Sequence, residues 1–144
     1  MAMRPKVLFL CTGNACRSQM AEAWARRLHG ERMQVWSAGV APAGVDPRAV
    51  QVMAERGVDL SGHRSKHVDE LSDVEFDLLI TVCDRARESC PVFPGAARRV
   101  HAGFDDPPHL ARGAADEEQA LEHYRRVRDE IEAFVRGLDR LLRA

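Results

Sequence analysis

The chain is expected to fold as an α/β domain: an open four-stranded parallel sheet with helices on both faces. Two observations predict this. Short apolar runs alternate with longer runs of helical periodicity. The strand-like runs are also apolar throughout, as in parallel strands covered on both faces. Such sheets close by right-handed crossovers and bind ligands beyond the carboxyl ends of their strands.

The first strand is Val7-Leu8-Phe9-Leu10, ending at Cys11 between Pro5 and Gly13. A helix is expected from Ser18, its N-cap, to His29, with Gly30 as the C′ residue. Met20, Trp24 and Leu28 form its buried stripe. Gln34-Val35-Trp36-Ser37 is the second strand. Asp46-Pro47 reads as N-cap plus N1 proline, opening a helix through Val50, Val52 and Met53 to Gly57. Phe76–Val82 is the third strand and Arg98–His101 a weaker fourth. The last helix is expected from Asp116 almost to Ala144, with Leu121, Tyr124, Val127, Ile131, Phe134, Val135, Leu138, Leu141 and Leu142 at helical spacing.

Composition bounds the function. A length of 144 residues with 45% hydrophobic and 30% charged residues fits one soluble domain over 1–144. A formal net charge of −1 argues against a generic nucleic-acid binder. No apolar run approaches the ~20 residues of a membrane span, and Met1–Lys6 followed by a short apolar run does not resemble an export signal. A cytoplasmic location with reduced thiols is therefore expected, without nucleic-acid or membrane partners. Four cysteines are too few for a disulfide scaffold and more than packing needs.

The segment Cys11-Thr12-Gly13-Asn14-Ala15-Cys16-Arg17-Ser18 lies between the first strand and the first helix. A loop there can wrap a tetrahedral oxyanion with backbone N–H groups, aided by the helix N-terminus. Gly13 and Asn14 most readily take left-handed conformations. Arg17 supplies a planar fork for two oxygens. The same field favours a Cys11 thiolate, to which Ser18 donates its hydroxyl unless it serves only as a cap.

Cys11 to Glu22 as a block resembles the signature of thioredoxin-coupled arsenate reductases, built on the low-molecular-weight protein tyrosine phosphatase fold. The resemblance continues through Ser37-Ala38-Gly39, Thr81-Val82-Cys83, Cys90-Pro91, Gly103-Phe104-Asp105-Asp106-Pro107 and Arg125–Glu130, nearly the whole chain. It implies a single arsenate reductase domain active in arsenic detoxification, with phosphate or sulfate as competing oxyanions and a weak phosphatase side activity.

It also implies a relay. Cys11 attacks arsenate, Cys83 attacks Cys11 and releases arsenite, and Cys90 resolves to a Cys83–Cys90 disulfide that thioredoxin reduces. Spacing alone only permits this. If Asp84–Ser89 is helical, the Cα atoms of Cys83 and Cys90 lie about 10 Å apart, beyond direct bridging, so the segment must unwind. Cys16 lies outside the relay, as an auxiliary thiol or an oxidation partner of Cys11. The family's general acid is the aspartate before proline, here Asp106; Asp105 is the alternative, capping locally.

Some family members bind potassium with an asparagine, a glutamate, a serine and an aspartate. Asn14, Glu22 and Ser37 match, but the fourth position is Lys66. Its ammonium either occupies the cation's place beside Glu22 or is a solvated surface charge. No tightly bound cofactor is expected, with thioredoxin as external reductant. The rival readings are a phosphatase of the same fold, which has no use for Cys83 and Cys90, a four-cysteine metal site of poor spacing, and a passive oxyanion binder. The six histidines form no convincing ligand set, and His63 and His67 are expected at the surface.

Overall fold

The computed structural model describes residues 4–83 and 98–143. Strands β1 (Lys6–Cys11), β2 (Gln34–Gly39), β3 (Leu78–Thr81) and β4 (Arg98–His101) form one parallel sheet in the order β2-β1-β3-β4. The helices are α1 (Arg17–His29), α2 (Pro47–Ala54), α3 (Pro107–Ala111), α4 (Glu117–Arg136) and α5 (Leu138–Arg143), with a 3-10 turn at Val68–Leu71. The expected fold class is the observed one.

β1 lies between β2 and β3, so both its edges are paired, and Val7 to Leu10 are wholly buried. Burying each such large side chain contributes roughly 1.5–3 kcal/mol. The register sets Cys11 opposite Gly39 and Leu10 opposite Thr81, which brings the ends of all the strands to one edge. The chain steps one way from β1 to β2 and back past β1 to β3. Right-handed crossovers therefore put α1 and the 3-10 turn on opposite faces.

α1 and α2 both pack against α4. Arg128 of α4, 3% exposed, donates to the Val52 carbonyl and the Glu55 carboxylate, both at 2.9 Å. His29 is also buried: its Nε2–H donates to the Val135 carbonyl at 2.7 Å, while Nδ1 accepts from Arg32 at 2.8 Å. These polar groups are tolerated inside because each is hydrogen-bonded.

Several boundaries differ from expectation. α1 starts two residues earlier, with Cys16 rather than Ser18 at the N-cap, and the Ser18 hydroxyl is taken up by the loop instead. Gly30 ends α1 in a right-handed conformation (φ −58, ψ −24), so it is not a left-handed cap. β2 runs on to Gly39 and β3 is shorter, Leu78–Thr81. The Asp46 cap matches: its carboxylate accepts from the Arg48 N–H at 2.9 Å, with Pro47 at N1. Asp116 likewise caps α4 through the Gln119 N–H at 2.8 Å. The single last helix is divided at Gly137 (φ −92, ψ 9), a residue of poor helix propensity. The apolar periodicity hides the break, since Leu138 beyond it is still buried.

Candidate active site

The loop from Cys11 to Arg17 leaves the end of β1 and enters α1. The carbonyls of residues 11–15 are turned outward onto donors that surround the loop. Cys11 O accepts from the Val40 N–H at 3.3 Å, Thr12 O from Ala41 at 2.8 Å and Ala15 O from Asp46 at 2.9 Å. Gly13 O accepts from the Ala43 N–H at 2.9 Å and from the Ser65 hydroxyl at 2.9 Å. Asn14 O accepts from Gln19 Nε2 at 3.1 Å. The peptides of this loop are all trans, so each N–H points opposite the carbonyl before it. The N–H groups of Thr12, Gly13, Asn14, Ala15 and Cys16 therefore face the inside of the loop, the nest that suits an oxyanion.

Asn14 takes the left-handed conformation (φ 47) as expected, whereas Gly13 has no positive φ. The glycine that the loop needs is Gly39 on β2. A Cβ there would lie 2.6 Å from Thr12 O and 2.8 Å from Asn14 N, both backbone atoms. Gly39→Ala is thus expected to displace the loop and weaken phosphate binding more than about tenfold, a loss of over 1.4 kcal/mol. Calorimetric titration with phosphate checks this, and unchanged affinity refutes it.

Cys11 is 3% exposed, and its sulfur lies 2.9 Å from Ser18 Oγ. The direction of that bond follows from the neighbouring amide. Asn14 Oδ1 accepts from the Lys66 backbone N–H at 3.0 Å, which places Nδ2 toward Ser18 at 2.8 Å and Ser37 at 3.0 Å. Ser18 Oγ receives from Asn14, so its own proton points at Cys11. Ser37 likewise donates its hydroxyl to Glu22 Oε1 at 2.6 Å. Ser18 is a donor to the cysteine, not a cap.

Arg17 is held at the rim: Nη1 donates to Phe104 O at 3.0 Å, and Nη2 lies 3.6 Å from Asp106 Oδ1. The two adjacent aspartates separate here. Asp106 faces Arg17, while Asp105 turns away to Arg126 of α4 at 2.9 Å. The Phe104 ring packs edge-on against Phe134 with centroids 6.0 Å apart. Cys83 follows β3, and its sulfur contacts Thr12 Oγ1 at 3.2 Å, so a second thiol adjoins the loop. Cys11, Cys16 and Cys83 are all thiols. Cys90 and the expected helical segment Asp84–Ser89 lie outside the described residues.

Cys16 is buried at the helix N-cap; burial first, then Asp46 and Cys11, push its thiol well above the ordinary range against the pull of Arg17. It stays protonated. Burial and the hydrogen bond to Asp46 likewise raise the Tyr124 hydroxyl, which donates to Asp46 at 2.6 Å.

Lys66 is half-buried, and desolvation lowers its ammonium against the attraction of Glu22, whose Oε1 lies 4.0 Å away. Glu22 also pairs with Arg26 at 2.9 Å. His63 is not the surface residue expected: its Nδ1 bonds Gln19 Oε1 at 2.9 Å, part of the lattice behind Asn14. Ser65 and the Phe104 carbonyl were not legible as site groups, since their contacts join segments far apart in the chain. Gln19 lies only five residues from the Asn14 carbonyl that it braces and was missed although it sits in the same stretch. Among the described residues no group of three or more His, Cys, Asp or Glu could hold a metal ion. Nor is any described helix long and apolar enough to cross a membrane.

The family described as low molecular weight phosphotyrosine protein phosphatase matches residues 6–144. An arsenate reductase of Halalkalibacterium halodurans is 47% identical over 130 residues, covering 90% of this chain and 91% of that protein. An arsenate reductase of Bacillus subtilis is 46% identical over 127 residues, covering 87% and 88%. The solved structure of a thioredoxin-dependent arsenate reductase from Corynebacterium glutamicum has a TM-score of 0.72 at 26% identity, covering 99% of this chain and 63% of that one.

Proposed function

The chain belongs to the low molecular weight phosphotyrosine protein phosphatase family, and from that premise we propose that it reduces arsenate to arsenite by a thiol relay. The observation that carries the reading is the Cys83 sulfur at 3.2 Å from Thr12, a second thiol beside the anion loop. A phosphatase of this fold is the alternative; it would use the loop, Arg17 and Asp106 but leave Cys83 idle.

Arsenate sits in the loop, held by the N–H groups of residues 12–16 and by Arg17, which exchanges its Phe104 and Asp106 contacts for two arsenate oxygens. The Cys11 thiolate, stabilised by the Ser18 proton, attacks arsenic. A sulfur–arsenic bond forms and one oxygen leaves as water, protonated by Asp106. Cys83 then attacks Cys11 Sγ. The sulfur–sulfur bond forms, the sulfur–arsenic electron pair passes to arsenic, and arsenite departs. Cys90 attacks Cys83, freeing Cys11 and leaving a Cys83–Cys90 disulfide. A dithiol, thioredoxin by this reading, returns the two electrons. Cys16 takes no part, as its protonated state suits.

Arsenate-dependent NADPH oxidation with thioredoxin and thioredoxin reductase tests the reading. Turnover is expected there and not with glutaredoxin; no arsenite from either refutes it. In the same assay Asp106→Asn is expected to slow turnover about 10²-fold or more while phosphate affinity stays within about threefold, because a neutral amide still fills the site but has no proton to give. Full activity would remove Asp106 from the role.

Lys66 stands in the cation's place in this reading, its ammonium facing Glu22, with Asn14 and Ser37 behind. Replacing sodium by potassium at constant ionic strength is then expected to leave the rate unchanged. A severalfold stimulation would show that a potassium ion still enters.

A further inference from the structure

Of the loop's peptides, that between Gly13 and Asn14 has the strongest reason to turn over. Rotating its plane changes only ψ of Gly13 and φ of Asn14. Gly13, lacking Cβ, resists little. Asn14 at φ 47 holds a conformation that L-residues disfavour, and the rotation would relieve it. The flipped peptide would turn Gly13 O inward, placing a negative dipole where the anion belongs. Two donors oppose this: the Ala43 N–H, and Ser65 Oγ, each 2.9 Å from Gly13 O. Gly13 O is the one loop carbonyl held by both a backbone and a side-chain donor among the described residues.

We propose that Ser65 is a positioning residue for oxyanion binding: its hydroxyl locks the Gly13–Asn14 peptide with the carbonyl outward and the Asn14 N–H inward. Ser65 never touches the anion. It acts on the fraction of protein whose loop is competent, and affinity falls in proportion to that fraction. Gln19 braces the next carbonyl but also holds the Arg64 carbonyl and His63, so its removal would disturb three segments at once. Ser65 has this one side-chain hydrogen bond among the described residues, which makes it the cleaner probe.

The proposal rests on the loop being an oxyanion cradle, and the test separates the two ideas. Inorganic phosphate is titrated into wild type, Ser65→Ala, and the matched pair Ser65→Thr and Ser65→Val, under reducing conditions. Amide resonances of residues 12–16 are followed, and thermal melting is recorded for each variant. Loss of the hydroxyl is expected to raise the phosphate Kd about three- to tenfold in Ala and Val, with Thr close to wild type. The phosphate-induced shift of the Asn14 amide should shrink at sub-saturating phosphate along with the bound fraction. Ser61→Ala, whose hydroxyl bonds only Asp59 locally, serves as control and is expected to change nothing. The Thr and Val variants share a shape, so packing alone cannot separate them. Equal Kd for Thr and Val, or for Ser65→Ala and wild type, overturns the role of Ser65 and leaves the cradle standing. Failure of wild type to bind phosphate overturns the cradle, and this proposal with it.

Discussion

Cys11→Ser should abolish arsenate reduction, by about 10⁴-fold or more, while phosphate affinity stays within about threefold of wild type. The substitution keeps nearly the same shape, and the N–H groups of residues 12–16 do not depend on the side chain, so the anion is still held. A hydroxyl is a far weaker nucleophile than a thiolate near neutral pH. Within the site the Ser18 proton, directed at Cys11 by the Asn14 amide, can stabilise sulfur as an anion but not generate an alkoxide. Arsenite production and phosphate titration on the same preparation decide the matter. Residual turnover above about 1% of wild type would mean that another thiol opens the reaction. Cys16 is an unpromising substitute, because burial and Asp46 keep it protonated.

Cys83→Ser should also eliminate arsenite formation, but with a different signature. In the proposed relay the first attack needs only Cys11, Arg17 and Asp106, so slow hydrolysis of an aryl phosphate through the same loop is expected to survive within about twofold. What disappears is the source of electrons: without a thiol at position 83, nothing attacks Cys11 Sγ, and arsenic keeps its oxidation state. A serine there can still bond Thr12, so the loop's edge is preserved. Comparing the two activities of one variant separates a reductase from a phosphatase. Arsenite formation at the wild-type rate would give the second attack to another cysteine.

The sheet and most helices were legible because they are written locally. β1 announces itself as an apolar run ending at a cysteine, and Asp46-Pro47 caps α2 as expected. The Gly137 break was not, since the apolar spacing carries on through Leu138 without a stutter. For the site, the loop and Arg17 could be read from their own stretch of chain. The partners that turn its carbonyls outward could not: Val40, Ala41, Ala43, Asp46 and Ser65 reach it only through the fold. Asp105 and Asp106 were interchangeable as letters until Arg126, 21 residues from Asp105, drew one of them away. Ser18 suited a helix cap and a thiol donor equally, and the Asn14 amide decided between them.

Gly39 and the segments that brace the loop give the site a history as well as a shape. Cys11 is made early, yet apart from the local Gln19 bond to Asn14 the outward bonds on its neighbours wait for chain that comes later: β2 and residues 40–46 first, then Ser65, and Cys83 and Phe104 last. These are contacts of high sequence separation, the kind that form slowly. A growing or partly folded chain therefore carries an exposed cysteine on an unshaped segment, open to stray oxidation or alkylation. Reactivity toward arsenate in particular arrives only when the sheet is complete, so chemical selectivity is a product of the finished fold.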